Sequence, residues 1–348
     1  MREKAAGAMA VKFGVGIVGA GMAAAPHMRA LEDLSDSIEV RGVWTRSAES
    51  REKFAAASGF PAVGALDDLL GDTKIDALIV LTPPNARHEV VERAARAGKH
   101  ILMEKPIERT AEAAERIVAI CEAAGVRLGV VFQNRFRASS LALRALLDKG
   151  DLGEICSVSL SVPWWRPQSY YDEPGRGTLA RDGGGVLITQ GIHALDLMLS
   201  MTGPATEAQA MVGATMHRME AEDFAAGALR LASGALGAVM ATVTSHPGGQ
   251  DVLTLNCRNG VARLAGGALR VDWLDGRAED IGDDAQSGHG ADPMAFSHEW
   301  HRAQIAEFVE AVRAGRAPAS NGRTALDVHR LIDAMIRSSA SGRREAVG

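Results

Sequence analysis

Three short stretches carry residue types at spacings that permit chemistry. GAGMAA, residues 19–24, fits G-x-G-x-x-A. Gly19 permits a tight turn, Gly21 lets a pyrophosphate approach the backbone, and Ala24 lets the following helix pack closely on its strand. Met22 and Ala23 lie inside the same turn. VWTRS, residues 43–47, falls where a dinucleotide site that prefers NAD places Asp or Glu for the ribose hydroxyls. Thr45, Arg46 and Ser47 stand there instead. A hydroxyl and a guanidinium attract a 2′-phosphate that a carboxylate would repel, so the pattern favours NADP over NAD. The opposing reading makes Arg46 a solvated surface charge. GGGVLITQGIHALDLM, residues 183–198, is the third stretch. Gly183, Gly184 and Gly185 leave a helix start uncrowded, open to a ligand. Thr189 and His193 are four residues apart and share one helix face. A lone histidine on an apolar helix is more often structural than catalytic, and residues elsewhere must decide.

Elements of alternating type must position these stretches. Residues 11–134 read as strand and helix in turn: KFGVGIVGA, then APHMRALEDL, IEVRGVWT, SAESREKFAAAS with Ser47 as cap, DALIVLTPP, ARHEVVERAARAG, HILMEKP, TAEAAERIVAICEAAG with Thr110 as cap, and RLGVVFQNRF. Such alternation makes βαβ units and a parallel sheet covered on both faces. After residue 134 comes one more helix, then strand-like runs with turn punctuation, which predict an antiparallel sheet. Two helical patterns close the chain, and the polar, glycine-rich residues 275–293 read as a loop. The expected fold is therefore α/β: an N-terminal Rossmann doubly wound parallel sheet plus a C-terminal α+β domain with a large, mostly antiparallel sheet.

Composition narrows the function classes. The 348 residues, 47% hydrophobic, suffice for two domains. A net charge of −5 without a Lys/Arg block argues against nucleic acid. No run is long and apolar enough to span a membrane. The three scattered cysteines form no CxxC pair, which fits a reducing cytoplasm. The start of the chain is basic and then apolar, like a signal peptide, but Lys12 interrupts the run. Residues 1–10 read as a disordered extension, with Met9 as an alternative start.

At LTPPNARHEVVERAARAGKHILMEKP, residues 81–106, the sequence resembles the Gfo/Idh/MocA oxidoreductases, the glucose–fructose oxidoreductase and inositol dehydrogenase family. The specific matches are TPP..RH from Thr82 to His88, AGKH, EKP from Glu104 to Pro106, and GGGVL...GIHALD. The resemblance spans nearly the whole chain. It implies an NAD(P)-binding Rossmann domain at 11–134 and an α+β substrate and oligomerisation domain at 135–348, with the last helix able to pack back on the first. One face of the large sheet would cover the nicotinamide, and the other would pair subunits into a homodimer or homotetramer. Thr82, Pro83, His88 and Glu104 are implied to contact cofactor. Lys105 is implied to lie beside nicotinamide and substrate, across a cis Lys105–Pro106 bond. An ammonium there can polarise a hydroxyl or carbonyl as hydride moves. The family usually carries Asp-x-x-x-His where this chain has Thr189 to His193, so the histidine is kept and the aspartate is not. Thr189 can hydrogen-bond the ring or the substrate but cannot stabilise an imidazolium, and Asp196 is an alternative partner for the ring. Lys105 and His193 are the catalytic candidates, and which of them handles the proton stays open.

Further candidates follow. Asn134 and Arg135 end the last parallel strand, where open α/β sheets bind ligands, and can contact a polyol or carboxylate; strand-end capping explains them equally well. Trp164 or Trp165 can cover a sugar-like ring, and Arg166 or Arg176 can bind an acid group; the aromatics can equally seal a subunit contact. HEWH at 298–301 is not HExxH, has no evident third ligand, and reads as helix surface or interface, so no metal is expected. The resulting expectation is an NADP- or NAD-dependent dehydrogenase for a secondary alcohol or ketone of a sugar, sugar acid or cyclitol. One rival holds NAD tightly and cleaves glycosidic bonds through transient oxidation; cofactor that stays bound through gel filtration would mark it. The other is a non-catalytic cofactor sensor on the same fold, marked by tight NADP binding without hydride transfer.

Overall fold

The computed structural model describes residues 11–21, 23–282 and 297–348; the expected extension at 1–10, Met22, and the expected loop beyond Gly282 fall outside them. The chain begins β1 (Phe13–Val18), α1 (Ala24–Asp33), β2 (Ile38–Trp44), α2 (Ala48–Ser58), α3 (Leu66–Gly71), β3 (Ala77–Val80), α4 (His88–Arg96), β4 (His100–Met103), α5 (Ala111–Ala123) and β5 (Leu128–Val130). The five strands are parallel in the order β2-β1-β3-β4-β5. Every residue of β1 and β3 is buried, the pattern of strands covered on both faces. The chain reverses its direction of travel between β1 and β3, and the carboxyl ends of these strands open a crevice.

A turn of 3₁₀ helix at Gln133–Phe136 leads to α6 (Ala138–Lys149), β6 (Ile155–Pro163) and α7 (Gln168–Tyr171). Then follow α8 (Ile192–Thr202), β7 (Ala205–Gly213), β8 (Phe224–Leu231), β9 (Leu236–Thr242), β10 (Val252–Cys257), β11 (Gly260–Ala265), β12 (Ala268–Trp273) and β13 (Ala278–Ile281). The chain closes with α9 (Glu299–Arg313), α10 (Gly322–Ser341) and β14 (Glu345–Ala346). Nine strands form the second sheet in the order β13-β12-β11-β10-β6-β9-β8-β7-β14. Only β6 and β9 pair in parallel; the other neighbours are antiparallel. Along β6, Val158, Leu160 and Val162 point to the core while Ser159 faces out, the alternation of a sheet with one covered face.

The two closing helices tie the sheets together. Ile305, Phe308 and Val309 of α9 join Phe13, Ile17, Leu31, Ile79 and Leu102 in one core cluster. Burying three such side chains is worth roughly 5–9 kcal/mol before entropy, enough to dock an otherwise polar helix. Helix α10 packs on α5 and β5 on one side and on β7 and α8 on the other.

Three local expectations need correction. Part of the expected 275–293 loop is strand β13, whose polar residues pair with its neighbour: Asp280 accepts from Arg270 at 3.0 Å and Glu279 from the Trp273 indole at 3.2 Å. Helix α3 gave no sequence signal, because six residues are too few for periodicity to show. The helix opened by the glycine run is not uniform, since Leu187–Gly191 forms a π turn before α8 begins.

Candidate active site

The cleft at the carboxyl ends of the parallel strands begins at the glycine turn. Gly19 has φ +101°, and a Cβ there would lie 2.9 Å from the Leu81 carbonyl carbon, so only glycine fits. A Cβ on Gly21 would meet nothing within 4 Å, because that position borders the open cleft. Ala23 lines the cleft, and Ala24 is buried where α1 starts. Thr45 and Arg46 line it beyond β2. The Thr45 hydroxyl donates to the Ser47 carbonyl at 2.7 Å, and Arg46 is exposed with no hydrogen bond or ion pair to the described residues. Ser47 does not line the cleft. Its hydroxyl accepts from Ser50 N at 3.2 Å and caps α2, as the sequence reading of Ser47 as a cap expects.

Thr82, Pro83 and His88 follow β3 and line the same cleft. The Thr82 hydroxyl is buried without a hydrogen-bond partner among the described residues. Arg87, missed in the sequence although it sits within TPP..RH, is buried and donates to the carbonyls of Thr82 at 2.9 Å, Glu104 and Pro106. It fastens the turn after β3 to the turn after β4.

That second turn carries Glu104 and Lys105, and the Lys105–Pro106 bond is cis. Lys105 Nζ donates to the Thr189 carbonyl at 2.7 Å, bridging the two halves of the cleft. Burial pushes its pKa down to about 8; Glu104 opposes this and the charges of Arg87, Arg176 and Arg166 reinforce it. Glu104 hydrogen-bonds His27 Nε2 at 2.7 Å. Burial alone would raise the Glu104 carboxyl, but the His27 bond, with the charges of His27, His301 and Lys105, brings the net shift below the usual range.

The HEWH stretch divides: His298 meets Asp33 at 2.9 Å at the surface, whereas His301 turns inward. His301 is 3% exposed, not on a surface, and its ring meets His27 edge to face at 4.9 Å. The possible ligand atoms of His27, Glu104 and His301 lie within 4.8 Å of one another, while His298 lies outside this group. Two imidazoles and a carboxylate can hold a divalent cation or sustain a hydrogen-bond chain, and His27 and Glu104 are hydrogen-bonded at 2.7 Å.

The opposite wall holds His193. It lines the cleft, its ring packs edge to face on Phe132 at 5.9 Å, and its Nδ1 is enclosed without a partner among the described residues. Burial, then the charges of Lys105, His301 and Arg137, hold its pKa well below 6.5. Asp196 does not orient this ring. It is fully buried and grips Arg135 at 2.6 and 2.7 Å, its pKa raised by burial against the pull of Arg135. The same pair removes Arg135 from the cleft, so the substrate role proposed for that arginine is corrected to a structural one. Thr189 lines the cleft, but its hydroxyl donates to the Gly185 carbonyl at 2.6 Å and contacts Gln190 rather than His193.

The glycine run also serves the protein itself rather than a ligand. None of the three glycines lines the cleft. A Cβ on Gly185 would lie 1.8 Å from the Glu222 carbonyl oxygen, and one on Gly183 would lie 2.6 Å from Arg109 Cα. Buried Glu222 accepts from Gly185 N at 2.9 Å and Leu187 N at 3.0 Å, anchoring the π turn. Of the other candidates, Asn134, Trp164, Arg166 and Arg176 line the cleft, Arg166 being almost fully buried. The Trp164 indole donates to buried Asp251. Trp165 does not line the cleft and packs on His246 instead.

A parallel sheet with a glycine turn at its switch point, a cleft lined from there to a lysine and a histidine, and a second sheet closing one side define a dinucleotide-binding oxidoreductase. Residues 13–132 match the model of the oxidoreductase family with NAD-binding Rossmann fold, and residues 140–263 match the GFO/IDH/MocA C-terminal domain. The chain belongs to the Gfo/Idh/MocA oxidoreductases. It is 29% identical over 214 residues to the scyllo-inositol 2-dehydrogenase (NADP(+)) IolW of Bacillus subtilis, covering 60% of this chain and 57% of that protein. It is 29% identical over 199 residues to the inositol 2-dehydrogenase of Rhizobium meliloti, covering 56% of each. The chain spans about half the length of the curated relatives it matches. The WlbA dehydrogenase of Bordetella pertussis, solved in complex with NADH and UDP-GlcNAcA, superposes with a TM-score of 0.81 at 29% identity, over 97% of this chain and 99% of that one. Among the described residues no helix is long and apolar enough to cross a membrane.

Proposed function

We propose that this chain is an NADP-preferring dehydrogenase of a secondary alcohol on a sugar, sugar acid or cyclitol. The observation that carries this reading is that Lys105 and His193, 88 residues apart in sequence, line one cleft that starts at the glycine turn. The residues fit a dinucleotide: open space beside Gly21, a partnerless Thr82 hydroxyl, and an Arg46 guanidinium free for a 2′-phosphate. When bound, NADP accepts or delivers a hydride at its nicotinamide. Gly19, Gly21 and Ala23 would hold the pyrophosphate, with Thr45 and Arg46 at the adenosine ribose. The relatives named for inositol substrates, one of them for NADP(+), support both the cofactor and the substrate class.

Lys105 is read as the proton-handling group. Its amine changes charge near pH 8, whereas His193 stays neutral and holds the substrate hydroxyl by a hydrogen bond. Alcohol oxidation needs a neutral amine to take the hydroxyl proton; carbonyl reduction needs the ammonium to return it. The oxidative kcat/KM therefore rises with pH through about 8, and the reductive one falls through the same pH. Steady-state profiles over a polyol panel with NADP and NAD test this. A flat oxidative profile across that range, or hydride transfer with no substrate despite NADP binding, would overturn the reading. We also read the outward face of the large sheet, where Ala228, Leu236, Ala238 and Met211 are exposed, as the surface that pairs two copies. Free cysteines at 121, 156 and 257 accord with a reducing, cytoplasmic setting.

A further inference from the structure

The substrate side of the cleft is more cationic than a neutral polyol requires. Lys105, Arg166, Arg176 and Arg181 line it near Asp182; of the other carboxylates that line the cleft, Glu104 is bound to His27 and Glu89 lies on α4 near Arg93. Asp182 is itself engaged: its Oδ2 accepts from Gly177 N at 2.8 Å, and its nearest contact to Arg181 is 3.8 Å. Glu173, the other acid of this segment, is 55% exposed at its side chain and does not line the cleft.

Arg176 is built to bind something. Its guanidinium lies 4.8 Å over the Tyr170 ring, and its side chain is only 15% exposed. Its one hydrogen bond to a described residue is a long Nε contact to Glu173 at 3.3 Å. Neither Nη donates to a described residue, and the side chain lines the cleft. The segment that carries it is tied down: the Thr178 hydroxyl donates to the Gly175 carbonyl at 2.7 Å, and Arg181 donates to the Pro174 carbonyl at 2.5 Å. A stacked guanidinium has its face occupied and its in-plane N–H groups left for an acceptor. That fork matches the two oxygens of a carboxylate or phosphate, and an alcohol offers no such pair. Glu173 pairs with Arg176 through Nε alone, at 3.3 Å, so a ligand carboxylate or phosphate would meet the two Nη groups.

We propose that the substrate is an anionic sugar whose carboxylate or phosphate is gripped by Arg176 while Lys105 faces the carbon that gains or loses hydride. This rests on the dehydrogenase reading for its second half only. The acid grip is testable without turnover, because binding to the NADPH complex can be measured by calorimetry.

The probes are D-glucuronate, D-glucose 6-phosphate and D-glucose, titrated into the full chain saturated with NADPH. One acid probe binds at least roughly tenfold tighter than glucose, and which one does so separates a carboxylate site from a phosphate site. Arg176→Met brings the ratio of acid to glucose affinity close to one, and Arg176→Lys restores part of it. Equal affinity of all three probes for the unmodified protein, or an acid preference that Arg176→Met leaves intact, would overturn the proposal. Acid selectivity without any hydride transfer would retire the dehydrogenase reading alone. Hydride transfer that is as efficient for neutral polyols as for sugar acids would retire the acid grip alone.

Discussion

The two walls of the cleft are made of different material. The wall after β1 and β3 offers backbone and small side chains at Gly19, Gly21, Ala23, Thr82 and Pro83, with larger ones such as Arg46, His88 and Arg93 around them. The facing wall is large side chains, and the parts behind it are fixed by partners distant in sequence. Asp196 holds Arg135 from 61 positions away, Glu222 holds Gly185 from 37, and Asp251 holds Trp164 from 87. The first wall can recognise what every dinucleotide shares, a pyrophosphate, with groups that every residue possesses. The second must recognise a particular substrate, so it depends on side-chain identity and on distant packing. One wall is therefore suited to stay constant while the other changes with the substrate.

The comparison can be broken at three points. The largest effect is expected from Lys105→Ala, which should lower kcat by about 10²–10⁴-fold while leaving NADPH affinity within a few-fold, since the backbone wall is untouched. Stopped-flow kinetics with fluorescence titration measures both; a parallel collapse of NADPH affinity would show that the walls are not separable. Asp196→Ala should come next. It strands the Arg135 cation, 12% exposed, inside the second wall at a cost of about 3–5 kcal/mol, read as a shift in the denaturant midpoint. A loss below about 1 kcal/mol, as for a surface pair, would mean that this wall does not rest on its buried pair. The smallest effect is expected from Thr45→Asp, which sharpens the picture at the edge of the first wall. The new carboxylate should repel a 2′-phosphate and move the NADP/NAD affinity ratio toward NAD by roughly tenfold, on the scale of 1–2 kcal/mol for a close charge pair. Tryptophan-quench titration checks it, helped by Trp44 at the cleft edge; an unchanged ratio would remove the ribose site from that corner.

The contrast also explains what could be read from the sequence. The parallel sheet, the glycine turn, and the caps Ser47 and Thr110 are local signals, and the elements follow them. Readings that needed a side chain's partner fared worse. Arg135 looked like a strand-end ligand because nothing in QNRF reveals Asp196. The glycine run looked like room for a ligand because Glu222, the residue it makes room for, belongs to the turn before β8. His301 looked like helix surface or interface because α9 was known only as a pattern, not by what it packs on. The signal that was available and unused was Arg87: an arginine between a Pro-Pro turn and a helix, well placed to reach the next loop's carbonyls.

The hydrogen bond from Lys105 to the Thr189 carbonyl has a consequence for proton transfer. An amine that loses its proton retains two hydrogens, and one can remain on Thr189 while the nitrogen becomes basic. The tether therefore survives the change of protonation state and limits rotation of the headgroup. Its nonbonding electron pair is kept away from Thr189, so the nitrogen is steered rather than merely available whenever it acts as a base.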